Sequence, residues 1–124
     1  MSERDAIERT IQTYFDGLYE GDADKLASVF TASSLLTFEN KGKATILTRD
    51  QWLDNVRARP SPKAAGLQRD DAILLVDQSG PTTALVKVKC QMPPLYFTDY
   101  LALLKIDGKW TIAQKIYATR KEAA

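Results

Sequence analysis

Between Glu3 and Tyr19 the apolar residues Ile7, Ile11, Tyr14, Phe15 and Leu18 recur at spacings of three and four, the period of one helical face. Gly21 ends that helix. Asp22 then caps a second, shorter helix carrying Leu26, Val29 and Phe30, because an aspartate side chain accepts the free amide hydrogens of a first turn. Thr48, with Gln51 three residues on, forms a capping box, which predicts a third helix over Arg49 to Ala58 that buries Trp52, Leu53 and Val56. Pro60 and Pro62 stop it, leaving Arg59 to Gly66 as an exposed loop.

Elsewhere the period is two. Leu35 to Phe38 and Ala44 to Leu47 flank a turn at Asn40-Lys41-Gly42-Lys43 and predict a hairpin. Ala72 to Gln78 turns at Ser79-Gly80-Pro81 into Thr83 to Met92, where Ala84, Val86, Val88, Cys90 and Met92 alternate with Leu85, Lys87, Lys89 and Gln91. After Pro93-Pro94, two last strands run from Tyr96 to Ile106 and from Lys109 to Ala118, joined at Asp107-Gly108. That pair suits a type I′ turn, in which both central residues need positive φ. The order is helix, helix, hairpin, helix and meander, an α+β domain in which helices cover one face of a sheet.

The Asp107-Gly108 turn pairs Ile106 with Lys109, and an uninterrupted ladder from there assigns the faces. One face carries Phe97, Asp99, Leu101, Leu103, Trp110, Ile112, Gln114 and Ile116. The other carries Thr98, Tyr100, Ala102, Leu104, Thr111, Ala113, Lys115 and Tyr117. The first is the apolar, helix-covered face, so Asp99 is expected to point inward opposite Ile116. A carboxylate there needs a hydrogen bond or a cation to offset its desolvation. The second face is mixed, with Tyr100 opposite Lys115, and suits a subunit contact.

Composition narrows the chemistry. The chain has 124 residues, 17 basic against 16 acidic side chains, one cysteine and no histidine. That is the size of one domain, and the balanced charge gives no reason to expect nucleic acid or an anionic membrane as partner. The charged N-terminal stretch and the lack of any long apolar run point to a cytoplasmic protein. No disulfide, thiolate or imidazole metal site, or nucleophile–histidine couple can be built, so neither a metal nor another cofactor is expected. Cys90 reads as a small buried apolar residue. Lys41, Lys43, Arg57, Arg59 and Lys63 read as solvated loop charges, and Trp52 and Trp110 as packing residues.

The runs YFDGLYEGDADKLASVF and FTDYLALLKIDGKWTIAQKIY resemble the nuclear transport factor 2-like superfamily. Within it the chain is similar to the group described as putative lumazine-binding, a neighbour of the SnoaL-like and ketosteroid isomerase-like proteins. The resemblance implies a cone-shaped, cystatin-like fold with three helices in its N-terminal half, packed on a strongly curved antiparallel sheet that encloses an apolar pocket. It also implies a homodimer formed through the sheet. On the ketosteroid isomerase pattern, Tyr14 in TIQTYFDGL and a protonated Asp99 in FTDYL are the two oxyanion donors. The general-base position falls on Phe38, and the neighbouring Glu39 points to the other face.

Three readings follow. The leading one is a small-molecule binding protein for an apolar or flat ring ligand, its pocket drawn from Phe15, Leu18, Trp52, Phe97, Leu101, Ile112 and Ile116 around Tyr14 and Asp99. The second is a lyase or isomerase in which Tyr14 and Asp99 stabilise an enolate-like oxyanion while Glu39 or another carboxylate is the base. The third is an interaction module with Phe97, Leu101 and Leu103 as its contact residues.

Overall fold

The structure, a computed structural model, describes residues 2–122. Helix α1 spans Glu3–Glu20, α2 Ala23–Ala27 and α3 Arg49–Ala58. The strands are β1 Phe30–Asn40, β2 Lys43–Thr48, β3 Ala72–Ser79, β4 Thr83–Met92, β5 Leu95–Ile106 and β6 Lys109–Lys121. The helix boundaries follow the capping chemistry. Ser2 and Asp5 form a capping box on α1, and Gly21 closes that helix at φ 67°; Asp22 caps α2, and Thr48 with Gln51 caps α3. Phe30 belongs to β1 and not to the second helix, because α2 ends after a single turn.

Six strands form one sheet in the order β2-β1-β6-β5-β4-β3, open at β2 and β3. Neighbours are antiparallel except β1 and β6, which run parallel and join the N-terminal hairpin to the meander. Asp107 and Gly108 have φ 51° and 78°, as the type I′ turn requires. One core lies between helices and sheet: Ile7, Ile11, Tyr14 and Phe15 of α1 and Trp52, Leu53 and Val56 of α3 pack with Leu36, Val86, Val88, Leu101, Leu103, Trp110 and Ile112.

Polar contacts fix α1 against β6. The Glu3 carboxylate accepts from the Trp110 indole N–H at 3.1 Å and from Lys105 Nζ at 2.9 Å, while Thr10 Oγ1 donates to the Trp110 carbonyl at 3.1 Å. Gly17 lets α2 close in beside α1, since a Cβ there would sit 2.8 Å from Leu26 Cδ2.

The expected ladder breaks at one point. Leu103 pairs with Ile112, but Ala102 pairs with Gln114, so Ala113 is an extra residue in β6. This β-bulge reverses the face of every β6 residue beyond it. Lys115 and Tyr117 turn inward, and Gln114 and Ile116 turn outward. Lys115 is 6% exposed and Ile116 is 58% exposed. Asp99 therefore pairs with Tyr117, and Ile116 is excluded from the covered face.

Candidate functional site

The space between α1, α3 and the C-terminal ends of β4 and β6 holds a cavity of about 80 Å³. Its walls include Phe15, Leu18 and Tyr19 of α1, Trp52 of α3, Cys90 of β4, Phe97 and Asp99 of β5, and Lys115 and Tyr117 of β6. Arg59, Arg69, Asp70 and Asp71 form a charged rim. The cavity is thus aromatic in its walls and ionic at both ends, and not uniformly apolar.

At its inner end three residues from three elements converge on one carboxylate. The Tyr14 hydroxyl donates to Asp99 Oδ2 at 2.6 Å, a short, charge-assisted geometry. Lys115 Nζ stands 3.9 Å from the same oxygen, and the Cys90 thiol approaches it at 3.8 Å. Asp99 Oδ1 is buried with no hydrogen-bond partner among the described residues, which leaves acceptor capacity unused. The lysine is also surrounded by rings: Nζ lies 5.2 Å from the Tyr14 centroid, 4.9 Å from Trp52 and 4.8 Å from Tyr117. Their π faces support an ammonium that has little access to water.

This surrounding shifts its neighbours. Burial, reinforced by the Asp99 charge, holds the Tyr14 phenol well above its ordinary pKa, so it remains a donor at neutral pH. Burial and Asp99 push the Cys90 thiol up to about 12, and Tyr117 is also raised by burial. A thiol that stays protonated is no nucleophile. Cys90 is half-buried in the cavity wall, more open than a core residue, close to the end of β4 two residues later at Met92.

Of the residues expected to line a ligand site, Phe15, Leu18, Trp52, Phe97 and Asp99 do line the cavity. Tyr14 stands behind it, fully buried, with its hydroxyl committed to Asp99 instead of aimed at a ligand. Leu101 and Ile112 lie on the covered face but are sealed in the core at 0% exposure, and Ile116 is outside. Leu101 and Leu103 are equally unable to act as surface contacts. Glu39 accepts from the Gly42 amide at 2.6 Å in the β1–β2 turn and is exposed, so it cannot be the base, while the Phe38 ring packs tilted against Tyr117 with centroids 5.0 Å apart.

Lys115 and Tyr117 escaped the sequence reading because they follow the bulge. The available signal was Gln114: an unbroken alternation buries that amide on an apolar face, a local conflict that a one-residue insertion removes.

Residues 2–118 match the family described as putative lumazine-binding. This chain belongs to that family. Among relatives, an enzyme named aldolase FrzH from Cladobotryum sp is 32% identical over 122 residues, covering 94% of this chain and 90% of that one. A nuclear transport factor 2-like protein of unknown function from Shewanella baltica superposes with a TM-score of 0.85 at 26% identity, over 97% of this chain and 95% of the other. A ketosteroid isomerase-like protein from Erwinia carotovora atroseptica shares the fold, with a TM-score of 0.74 at 14% identity over 98% and 100% of the two chains. As a member of the putative lumazine-binding family the chain has the nuclear transport factor 2-like α+β fold. No helix of the described residues is long and apolar enough to cross a membrane.

Proposed function

We propose that this protein binds a small carbonyl compound in the Asp99–Lys115 cavity and catalyses enolate chemistry on it, of the aldol or isomerisation type. The observation that carries this reading is the juxtaposition of a partly unpaired carboxylate with a ring-caged ammonium at 3.9 Å. Enolisation needs a base at the α-carbon and a positive donor where negative charge develops on the carbonyl oxygen. Asp99 takes the α-proton: the C–H bond breaks, an O–H bond forms on the carboxyl group, and the electron pair moves to the carbonyl oxygen beside Lys115. The enolate carbon then either attacks a second carbonyl carbon, whose C=O electron pair moves to its oxygen and takes the proton from the Asp99 carboxyl group, or takes that proton back from Asp99 at another position. Tyr14 is a positioning residue that holds Asp99 in place through Oδ2. The aldolase name of a 32% identical relative supports carbon–carbon bond chemistry.

This revises the pair of donors expected from the sequence: Asp99 becomes the base, and Lys115 takes the oxyanion role. A cavity of about 80 Å³ admits the reacting end of a molecule or a small compound, well below the volume of common drug-sized sites. The test is α-proton exchange into D2O, followed by NMR over a panel of aromatic ketones and oxo acids. Acceleration by the wild type that falls at least ~100-fold in Asp99→Asn, with the fold retained, supports the reading. Equal exchange by wild type and Asp99→Asn overturns it.

Ligand binding without turnover is the second reading, supported by the flat aromatic walls Trp52 and Phe97. We also propose a homodimer through the uncovered sheet face, where Leu85, Tyr100, Leu104, Ile106 and Ile116 are exposed. Sedimentation at micromolar concentration tests it, and a monomer there overturns it.

A further inference from the structure

Nearly every charge that lines the cavity has a partner within the protein. Asp99 has Lys115 and the Tyr14 hydroxyl; Asp70 has Lys89 at 3.3 Å. Arg69 is engaged twice, by Asp16 at 2.7 Å and Asp71 at 2.8 Å. The exception is Arg59. Among the described residues it makes no ion pair and donates no side-chain hydrogen bond, although two aspartates of the rim lie on the same cavity. Its backbone is held at the C-cap of α3, just ahead of Pro60 and Pro62, so its position is set by the helix end.

Arg59 is exposed as a residue, yet its charged end is partly withdrawn from water. That burial lowers its pKa from the ordinary guanidinium value, with Tyr117 and Tyr14 partly opposing the shift. A guanidinium held against a cavity wall without a counter-ion is under-solvated, and an anion completes its environment. Its planar fork matches a carboxylate with two parallel hydrogen bonds.

Building on the enolate reading above, we propose that Arg59 seats an anionic group of the substrate, which makes the substrate a carbonyl compound bearing a carboxylate, an oxo acid. The carbonyl then faces Lys115 at the inner end, the carboxylate faces Arg59 at the rim, and the ring faces Trp52 and Phe97 between them. The other rim guanidinium is neutralised in advance, so selection for negative charge rests on a single side chain.

The experiment is isothermal titration calorimetry with 4-acetylbenzoate, in which the ring separates the enolisable ketone from the carboxylate, and with its neutral methyl ester, against wild type, Arg59→Gln, Arg59→Lys, Lys63→Gln and Lys115→Met. The acid is expected to bind wild type about 10-fold more tightly than the ester, a preference worth about 1.4 kcal/mol. Arg59→Gln is expected to remove that preference by weakening the acid alone, Arg59→Lys to keep part of it, and Lys63→Gln to leave it unchanged. Equal binding of acid and ester by wild type overturns the role of Arg59 and leaves the pocket reading standing. So does a preference that survives Arg59→Gln but vanishes in Lys115→Met. Absence of binding by either compound overturns both the anion seat and the pocket reading from which it follows.

Discussion

The helix-covered face of the sheet has two ends that differ in kind although the same strands build both. Toward the Asp107-Gly108 turn, Leu103, Trp110 and Ile112 belong with Ile7 and Ile11 to the fully buried apolar core. Toward the strand ends, Asp99, Lys115, Tyr117 and Cys90 surround open space. Ala113 divides them. Before it, inward positions on β6 are apolar and closed; after it, the bulge delivers a lysine and a tyrosine to the same face. One extra residue separates a packed core from a polar cavity without any change of fold.

The strongest way to break this contrast is to delete Ala113. Removing the extra residue restores an unbroken ladder, sends Lys115 and Tyr117 outward and leaves Asp99 buried opposite Ile116 without its cation. The expected loss is roughly 4 kcal/mol or more, because a desolvated charge is left without its partner and the β1–β6 register is disturbed as well. Urea denaturation measures it, and an unchanged midpoint would mean that the bulge does not set the faces.

At the closed end, Ile112→Ala is expected to cost about 2–5 kcal/mol while leaving the affinity of any cavity ligand unchanged, since that side chain touches core alone. Tyr14→Phe at the open end is expected to cost about 1.5–3 kcal/mol, the usual worth of a buried hydrogen bond to a charged group. Paired melts and titrations separate the two. A ligand affinity lost in Ile112→Ala would merge the two ends into one site.

The open end also carries a pH signature. Cys90 is pushed up to about 12 from 9.0, and Tyr14 and Tyr117 are raised by the same burial. A raised acid binds protons more tightly in the folded chain than in the unfolded one. The stabilisation is complete below about pH 9 and is lost as pH rises toward 12. Stability measured across that range should therefore fall, and the fall should be shallower in Cys90→Ala. An identical slope in the variant would place the thiol in ordinary solvent.

The smallest effect belongs to Ile116→Thr. On an inward-facing residue such a change is costly, but at 58% exposure it is expected to alter the stability of the free chain by no more than about 0.5 kcal/mol. A loss several times larger in dilute protein would return Ile116 to the covered face.

Capping residues, turn glycines and hydrophobic period were enough to place three helices and six strands in order, because each depends on neighbours within a few positions. The inward direction of Asp99 was legible for the same reason: it is counted along one strand from a turn whose geometry its own two residues dictate. Tyr14 lay on the buried helical stripe, although not the fact that its hydroxyl meets Asp99. Tertiary structure alone decided that Lys115 reaches that carboxylate, that Ile116 does not, and that Arg59 leans on the cavity with no partner of its own. A bulge is chosen by the packing of whole strands against helices, where keeping Gln114 out and pairing Asp99 outweigh one irregular step in the ladder. That balance is made between residues far apart in the chain, and its one local trace in the sequence is the misfit of Gln114 on an apolar face.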